Sequence, residues 1–154
     1  MAEYRRRPVA AGPVSPRAYR STILIRFAHC DPAGIVFFPR YLEMFNNLIE
    51  DWCREELGVS FAEIHERRGW GLPTVHLVVD FAAPSMLGEE LSASLVVRRI
   101  GTSSISSEIQ FRGPDGSERV RGNSVVVLID AKSRRGVPIP DDLRTRIARF
   151  QDAN

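Results

Sequence analysis

A single amphipathic helix in this chain has to cover a sheet much wider than itself. Tyr41, Phe45, Leu48, Ile49 and Trp52 recur at helical spacing, with Glu43, Asn47, Glu50 and Arg54 mostly off that stripe. Pro39 suits the first turn, where its missing N–H costs nothing, and Gly58 suits the C-terminal cap. Almost everything after Gly71 instead alternates with a period of two. Val75, Leu77, Val79 and Phe81 form one such set; Leu91, Ala93, Leu95 and Val97 form another. The cleanest set is Ile105, Ser107, Ile109 and Phe111 against Ser104, Ser106, Glu108, Gln110 and Arg112. Gly113-Pro114-Asp115-Gly116 marks a turn into a last strand over 119–130, whose run 125–129 is apolar on both faces and belongs in the sheet interior.

Upstream of the helix, Ile23, Ile25 and Phe27 face one way and Thr22, Leu24 and Arg26 the other, which predicts a strand from Tyr19. A short helix is expected over 60–67, opened by Ser60 with Glu63 completing a capping box. A terminal helix is expected over 141–150, after Pro138 and Pro140 end the sheet. The order is strand, long helix, then four strands joined largely by hairpins. That is an α+β architecture of one long helix on about five antiparallel strands. One helix leaves part of such a sheet uncovered, which argues for pairing between subunits.

At 154 residues the chain fits a single domain, expected over 18–150 behind a flexible leader at 1–17 rich in Ala, Pro and Gly. A net charge of +2 argues against nucleic acid or a membrane surface as partner. Cys30 and Cys53 show no metal-ligand spacing, so we expect no metal and a reduced, cytoplasmic protein. No apolar run approaches a membrane span, and Arg5, Arg6 and Arg7 have no apolar segment behind them to make a secretion signal.

The chemistry concentrates in His29-Cys30-Asp31-Pro32-Ala33-Gly34-Ile35-Val36-Phe37-Phe38-Pro39. Asp31 opens a Pro/Gly turn, an apolar tract over 35–38 follows, and a helix begins at once. Asp before Pro is commonly a turn residue whose side chain bonds nearby N–H groups. Here, however, the helix start offers up to about four unpaired N–H donors and a partial positive charge. Thioester hydrolysis builds negative charge on a carbonyl oxygen, and one fixed donor to such an oxygen is worth ~2.7–4 kcal/mol of barrier. A carboxylate beside such donors could attack the carbonyl directly or position water.

This block resembles the hotdog-fold acyl-CoA thioesterases of the 4-hydroxybenzoyl-CoA type, which share Cys-Asp-Pro-Ala-Gly-Ile-Val, two aromatics and a proline. The likeness extends more loosely over 23–129, including Gly71-Leu72-Pro73 leading into a strand. It implies a curved antiparallel sheet wrapped around the long helix, and a homodimer or a homotetramer built as a dimer of dimers. It implies Asp31 as the catalytic carboxylate and the backbone N–H of Phe38 as the group that polarises the thioester carbonyl. Gly34, Ile35, Val36, Phe37, Asn46, Thr74 and His76 are then the candidates to line the acyl site. Arg98, Arg99, Thr102, Ser103 and Arg134 are the candidates to meet CoA, which enters as part of the substrate; no separate cofactor is expected. Asn46 stands where that type carries an aspartate, and Phe38 where it carries a tyrosine.

The other candidates for catalysis read as structural or pocket-lining. His29 and His76 lack a Ser or Cys partner at a recognisable spacing, and Cys30 has no evident activating base. Glu43 and Glu50 are expected to be solvated or paired, Glu50 with Arg54 at i,i+4. Related hydratases place a histidine five residues after the catalytic aspartate, which is Val36 here. The reaction expected is hydrolysis of an aromatic acyl-CoA. Short-chain aliphatic acyl-CoA, dihydroxynaphthoyl-CoA and a non-catalytic acyl-CoA-binding module are the alternatives.

Overall fold

The alternation from Tyr19 forms β1 (Tyr19–Leu24) in the computed structural model, which describes residues 11–152. Ile25 still faces the core, but Phe27, expected beside it, is 84% exposed. The chain turns there through a 3-10 turn, Phe27–His29, because the Arg26 N–H donates to His29 Nδ1 at 2.9 Å and the Cys30 N–H donates to Phe27 O at 3.1 Å.

Helix α1 (Pro39–Glu55) buries the whole expected stripe together with Met44 and Cys53. Each large apolar side chain so buried contributes about 1.5–3 kcal/mol. Burial pushes the Cys53 thiol up to about 12, which makes it a packing residue. Glu56, not the expected Gly58, caps the helix; Gly58 turns the chain just beyond it at a φ of +68°, the left-handed geometry that glycine adopts without cost. Arg54 does not pair with Glu50, because its Nη2 is already engaged by Asp51 (3.0 Å) and Glu55 (3.1 Å). The segment over 60–67 contains a π-helical turn, Glu63–Arg67, led by half of the expected capping box: the Glu63 N–H donates to Ser60 Oγ, while the Glu63 carboxylate pairs with Arg68 at 3.0 Å.

The remaining elements are β2 (Trp70–Gly71), β3 (Thr74–Phe81), β4 (Glu90–Ile100), β5 (Ser104–Arg112), β6 (Glu118–Val127), β7 (Ile129–Asp130) and α2 (Asp141–Ala148). The five-stranded sheet is antiparallel throughout, in the order β1-β4-β5-β6-β3, and β2 pairs separately with β7. The expected last strand is therefore split. Leu128 breaks it, and Ile129–Asp130 leaves the main sheet to pair with Trp70–Gly71.

Among the described residues, the hairpins of the main sheet are β4–β5 and β5–β6. Strand β3 pairs with β6 instead of β4, so the connection 82–89 crosses the end of the sheet. It is held there by the Ala82 and Ala83 N–H groups, both of which donate to Arg119 O. Strand β3 is thus an edge, with Val75, Val78 and Phe81 exposed. Residues 11–17 of the expected leader lie on the outer sheet face, where Arg112 bonds Gly12 O and Arg20 bonds Val14 O and Ser15 O. Residues 1–10 fall outside the described residues. Among the described residues, no helix is long and apolar enough to cross a membrane.

Helix α1 packs on the inner face formed by Leu91, Leu95, Ile109, Phe111 and Val120, all fully buried. Phe45 meets Phe111 edge-on, with ring centroids 5.1 Å apart, and rests on bare backbone at Gly122 of β6. A Cβ at Gly122 would come within 2.6 Å of the Phe45 ring. Gly122→Ala should therefore lower unfolding free energy by about 1–3 kcal/mol, read as a lower thermal midpoint. An unchanged midpoint would show that the helix moves away from the sheet without cost.

Candidate active site

The Asp31 segment folds into a short bridged hairpin. Cys30 pairs with Val36: the Asp31 N–H donates to Ile35 O (3.0 Å) and the Phe37 N–H to His29 O (2.9 Å). Gly34 closes the turn at a φ of +77°. The half-buried Asp31 accepts the Ala33 N–H on Oδ1 at 2.8 Å, the turn bond expected of Asp before Pro. That bond orients the carboxylate and leaves Oδ2 without a hydrogen-bond partner among the described residues.

The start of α1 has fewer free donors than a bare helix end. Pro39 has no N–H, while the Arg40 N–H donates to Phe37 O (2.9 Å) and the Tyr41 N–H to Phe38 O (3.1 Å). The Phe38 N–H remains, without a partner among the described residues. The first turn carries no acidic residue, so the positive end of the helix is not offset from within that turn. Arg40 stands in it and pairs with Glu43 at 2.9 Å.

The hairpin rests on the 82–89 connection. The Val36 N–H donates to Ser85 O (2.9 Å) and the Leu87 N–H to Gly34 O (3.3 Å), making an Ile35–Met86 bridge. Tyr41, read from the sequence only as core, bonds the fully buried Ser85 through their hydroxyls at 2.9 Å. Val36 is buried, Gly34 and Ile35 are half-buried, and Phe37 and Phe38 are exposed. Phe38 meets Phe81 edge-on at 6.1 Å, and Phe81 in turn meets Tyr41 at 5.9 Å. Sequence reasoning placed Phe81 only as an alternating strand residue and did not single out Ser85. The one signal available was that eight residues, 82–89, are more than a tight hairpin needs.

Asn46 is exposed on α1, and Thr74 and His76 are exposed on edge strand β3. Thr102 and Ser103 lie in the β4–β5 hairpin, where their carbonyls accept from the Ile139 and Leu128 N–H groups. A Cβ on Gly136 would come 3.0 Å from Ser103 Oγ, so this hairpin meets the loop carrying Arg134. Arg99 is exposed, whereas Arg98 is engaged by Glu108 at 3.4 Å and donates to Asp152 O. No group of three or more His, Cys, Asp or Glu among the described residues could hold a metal ion.

Residues 25–147 match the thioesterase-like superfamily, and the chain belongs to it. It is similar to a 1,4-dihydroxy-2-naphthoyl-CoA hydrolase of Synechocystis, with 26% identity over 124 residues, covering 80% of this chain and 89% of that one. Among solved structures, a 1,4-dihydroxy-2-naphthoyl-CoA thioesterase from Synechocystis superposes with a TM-score of 0.78 at 24% identity, covering 85% of this chain and 96% of that one. A gentisyl-coenzyme A thioesterase superposes with a TM-score of 0.73 at 25% identity, covering 82% of this chain and 99% of that one. The fold is the hotdog fold, and the protein is a thioesterase.

His29 sits beside this hairpin with its ring committed. Nδ1 accepts the Arg26 N–H, so the neutral ring carries its proton on Nε2. Partial burial, then the nearby Arg26 and Arg40 charges, hold its pKa below the ordinary 6.5, with Glu43 opposing weakly. Because the folded state resists this proton, stability should fall as pH drops through about 6.5 and below. Nuclear magnetic resonance titration should find His29 protonating at a lower pH than an unfolded histidine, and His29→Gln should flatten that part of the stability profile.

Proposed function

We propose that this protein hydrolyses an aromatic acyl-CoA thioester to the free acid and CoA, using Asp31 and the backbone N–H of Phe38. The observation that carries the reading is the pair of unsatisfied groups on one bridged segment: a carboxylate oxygen at the turn and a backbone donor at the helix mouth. In this mechanism the thioester oxygen takes the Phe38 N–H, reinforced by the positive end of α1. Asp31 then either attacks the carbonyl carbon, expelling CoA thiolate and leaving a mixed anhydride for water, or orients and deprotonates the attacking water.

The acyl group is assigned by the wall beside that donor. Phe37, Phe38 and Phe81 present exposed rings in edge-to-face contact, a surface suited to a flat aromatic group. The relatives named for dihydroxynaphthoyl-CoA and gentisyl-CoA support the same class. 4-Hydroxybenzoyl-CoA is the simplest member of it. Asn46 is the residue we assign to a ring hydroxyl, and Arg99, Thr102, Ser103 and Arg134 remain our assignment for the CoA moiety. The cytoplasmic location expected from two unpaired cysteines is part of the same proposal.

Free-thiol release should be fastest with aromatic esters from a panel of benzoyl-, 4-hydroxybenzoyl-, 1,4-dihydroxy-2-naphthoyl-, short aliphatic and long-chain acyl-CoA. Asp31→Asn should lower kcat by roughly 100-fold or more while leaving the fold intact. Turnover of aliphatic esters alone would reassign the pocket, and near-normal turnover by Asp31→Asn would remove Asp31 from the chemistry.

The assembly proposed is a dimer, or a dimer of dimers, joined through β3. This eight-residue edge presents Val75 at 60% and Val78 at 48% exposure beside the exposed Phe38 and Phe81. Val78→Lys should shift the protein toward monomer in sedimentation velocity. A dimer that survives this change unaltered would place the interface elsewhere.

A further inference from the structure

Arg119 is 9% exposed although it lies at a sheet end, where the β5–β6 pairing shifts register between Phe111 and Arg112. Its guanidinium donates to Pro84 O at 2.8 Å and lies 2.9 Å from Glu89 Oε2, with Ser117 Oγ at 3.3 Å and Asp115 at 3.5 Å. Its own carbonyl accepts from Ala82 and Ala83. One residue therefore holds the connection 82–89 at its beginning, through backbone, and toward its end, through Glu89. Glu89 passes the restraint to the middle, accepting the Met86 N–H at 2.7 Å. Met86 is bridged to Ile35, with Ser85 and Leu87 bonded to Val36 and Gly34. Gly113 leaves room for this arrangement, because a Cβ there would collide with the Arg119 guanidinium.

Stability alone is a poor reason for such a pair. A largely buried ion pair pays for desolvating two charges, and well-packed apolar residues often stabilise as much. What the pair does supply is a fixed set of directions. Residues 34–37 lie between Asp31 and the Phe38 N–H, and a misplacement of about 1 Å in such a site costs on the order of 100-fold in rate.

We propose that Arg119 and Glu89 are positioning residues: they lock connection 82–89 against residues 34–36 and thereby set Asp31 relative to the Phe38 N–H. This rests on the thioesterase reading of Asp31 given above. Neither side chain touches substrate in this scheme.

The test is steady-state kinetics on Arg119→Gln, Glu89→Gln, their double mutant and Arg119→Lys, using the best ester of the panel well below each thermal midpoint. Each single change should lower kcat by about 10- to 100-fold with KM within about threefold. The double mutant should be no worse than the poorer single, since the two act as a unit. Arg119→Lys should regain part of the loss. If Arg119→Gln does not fold, Gly113→Ala displaces the guanidinium from outside the site and should lower kcat in the same way. A kcat within about twofold of the parent, alongside a lowered midpoint, would make the pair structural only. Losses that simply add in the double mutant would also overturn the proposal. Asp31→Asn is run beside these variants. If it is inactive while Arg119→Gln is not, this inference fails alone; if it keeps its turnover, the reading of Asp31 falls and takes this inference with it.

Discussion

Phe45 resting on Gly122 is the contact on which the rest of the molecule depends. With no Cβ beneath it, the ring lies directly against β6 and meets Phe111 edge-on, which fixes the height of α1 above the sheet. Once that height is set, Tyr41 is placed to bond Ser85 and to touch both Phe81 and Phe111. The far end of the helix is held as firmly. Arg146 and Arg149 of the terminal segment donate to Leu57 O and Glu56 O, satisfying carbonyls that the helix leaves open. The mouth of the helix, and with it Phe38, therefore stands where packing puts it, and the exposed hairpin inherits its precision from the core.

The parts of this structure that could be read from the sequence are those written in local periodicity or local chemistry. The stripe from Tyr41 to Trp52 and the alternation from Ile105 to Phe111 each need only their own neighbours to declare helix or strand, and each formed as expected. Asp31 could be read for the same reason: a carboxylate, a proline and a glycine within four positions specify a turn, and the turn formed. Phe27 could not be read, because a side-chain acceptor, His29 Nδ1, ends the strand that periodicity would have continued. The split of β6 from β7 depends on Trp70–Gly71, some 60 residues upstream, offering a competing partner to Ile129–Asp130.

The pairing of β3 with β6 was hidden in the same way. Alternation gives a strand its faces but not its neighbours, and a hairpin between β3 and β4 would satisfy the same pattern. The structure instead spends residues 82–89 on a crossing, and those residues support the site. From the sequence, Arg119 is only the first residue of the expected last strand. The role we propose for it depends on the connection 82–89, distant in sequence, converging on it, which no local pattern records.

The ordinary and the catalytic readings of Asp31 are not rivals. The bond from Ala33 to Oδ1 is what any turn aspartate makes, and it removes the freedom that would let the carboxylate swing away from a bound ester. The free oxygen is then presented in a fixed direction at little further cost, because the turn has already ordered the side chain. The same economy holds at the helix. Pro39 deletes one donor and the tight first turn satisfies two more, so what remains is the single Phe38 N–H in place of several. An oxyanion gains most from a donor that needs no reorganisation when charge develops. By that criterion, the segment's sparse hydrogen bonding is the property that supports our proposal of a site built on this turn.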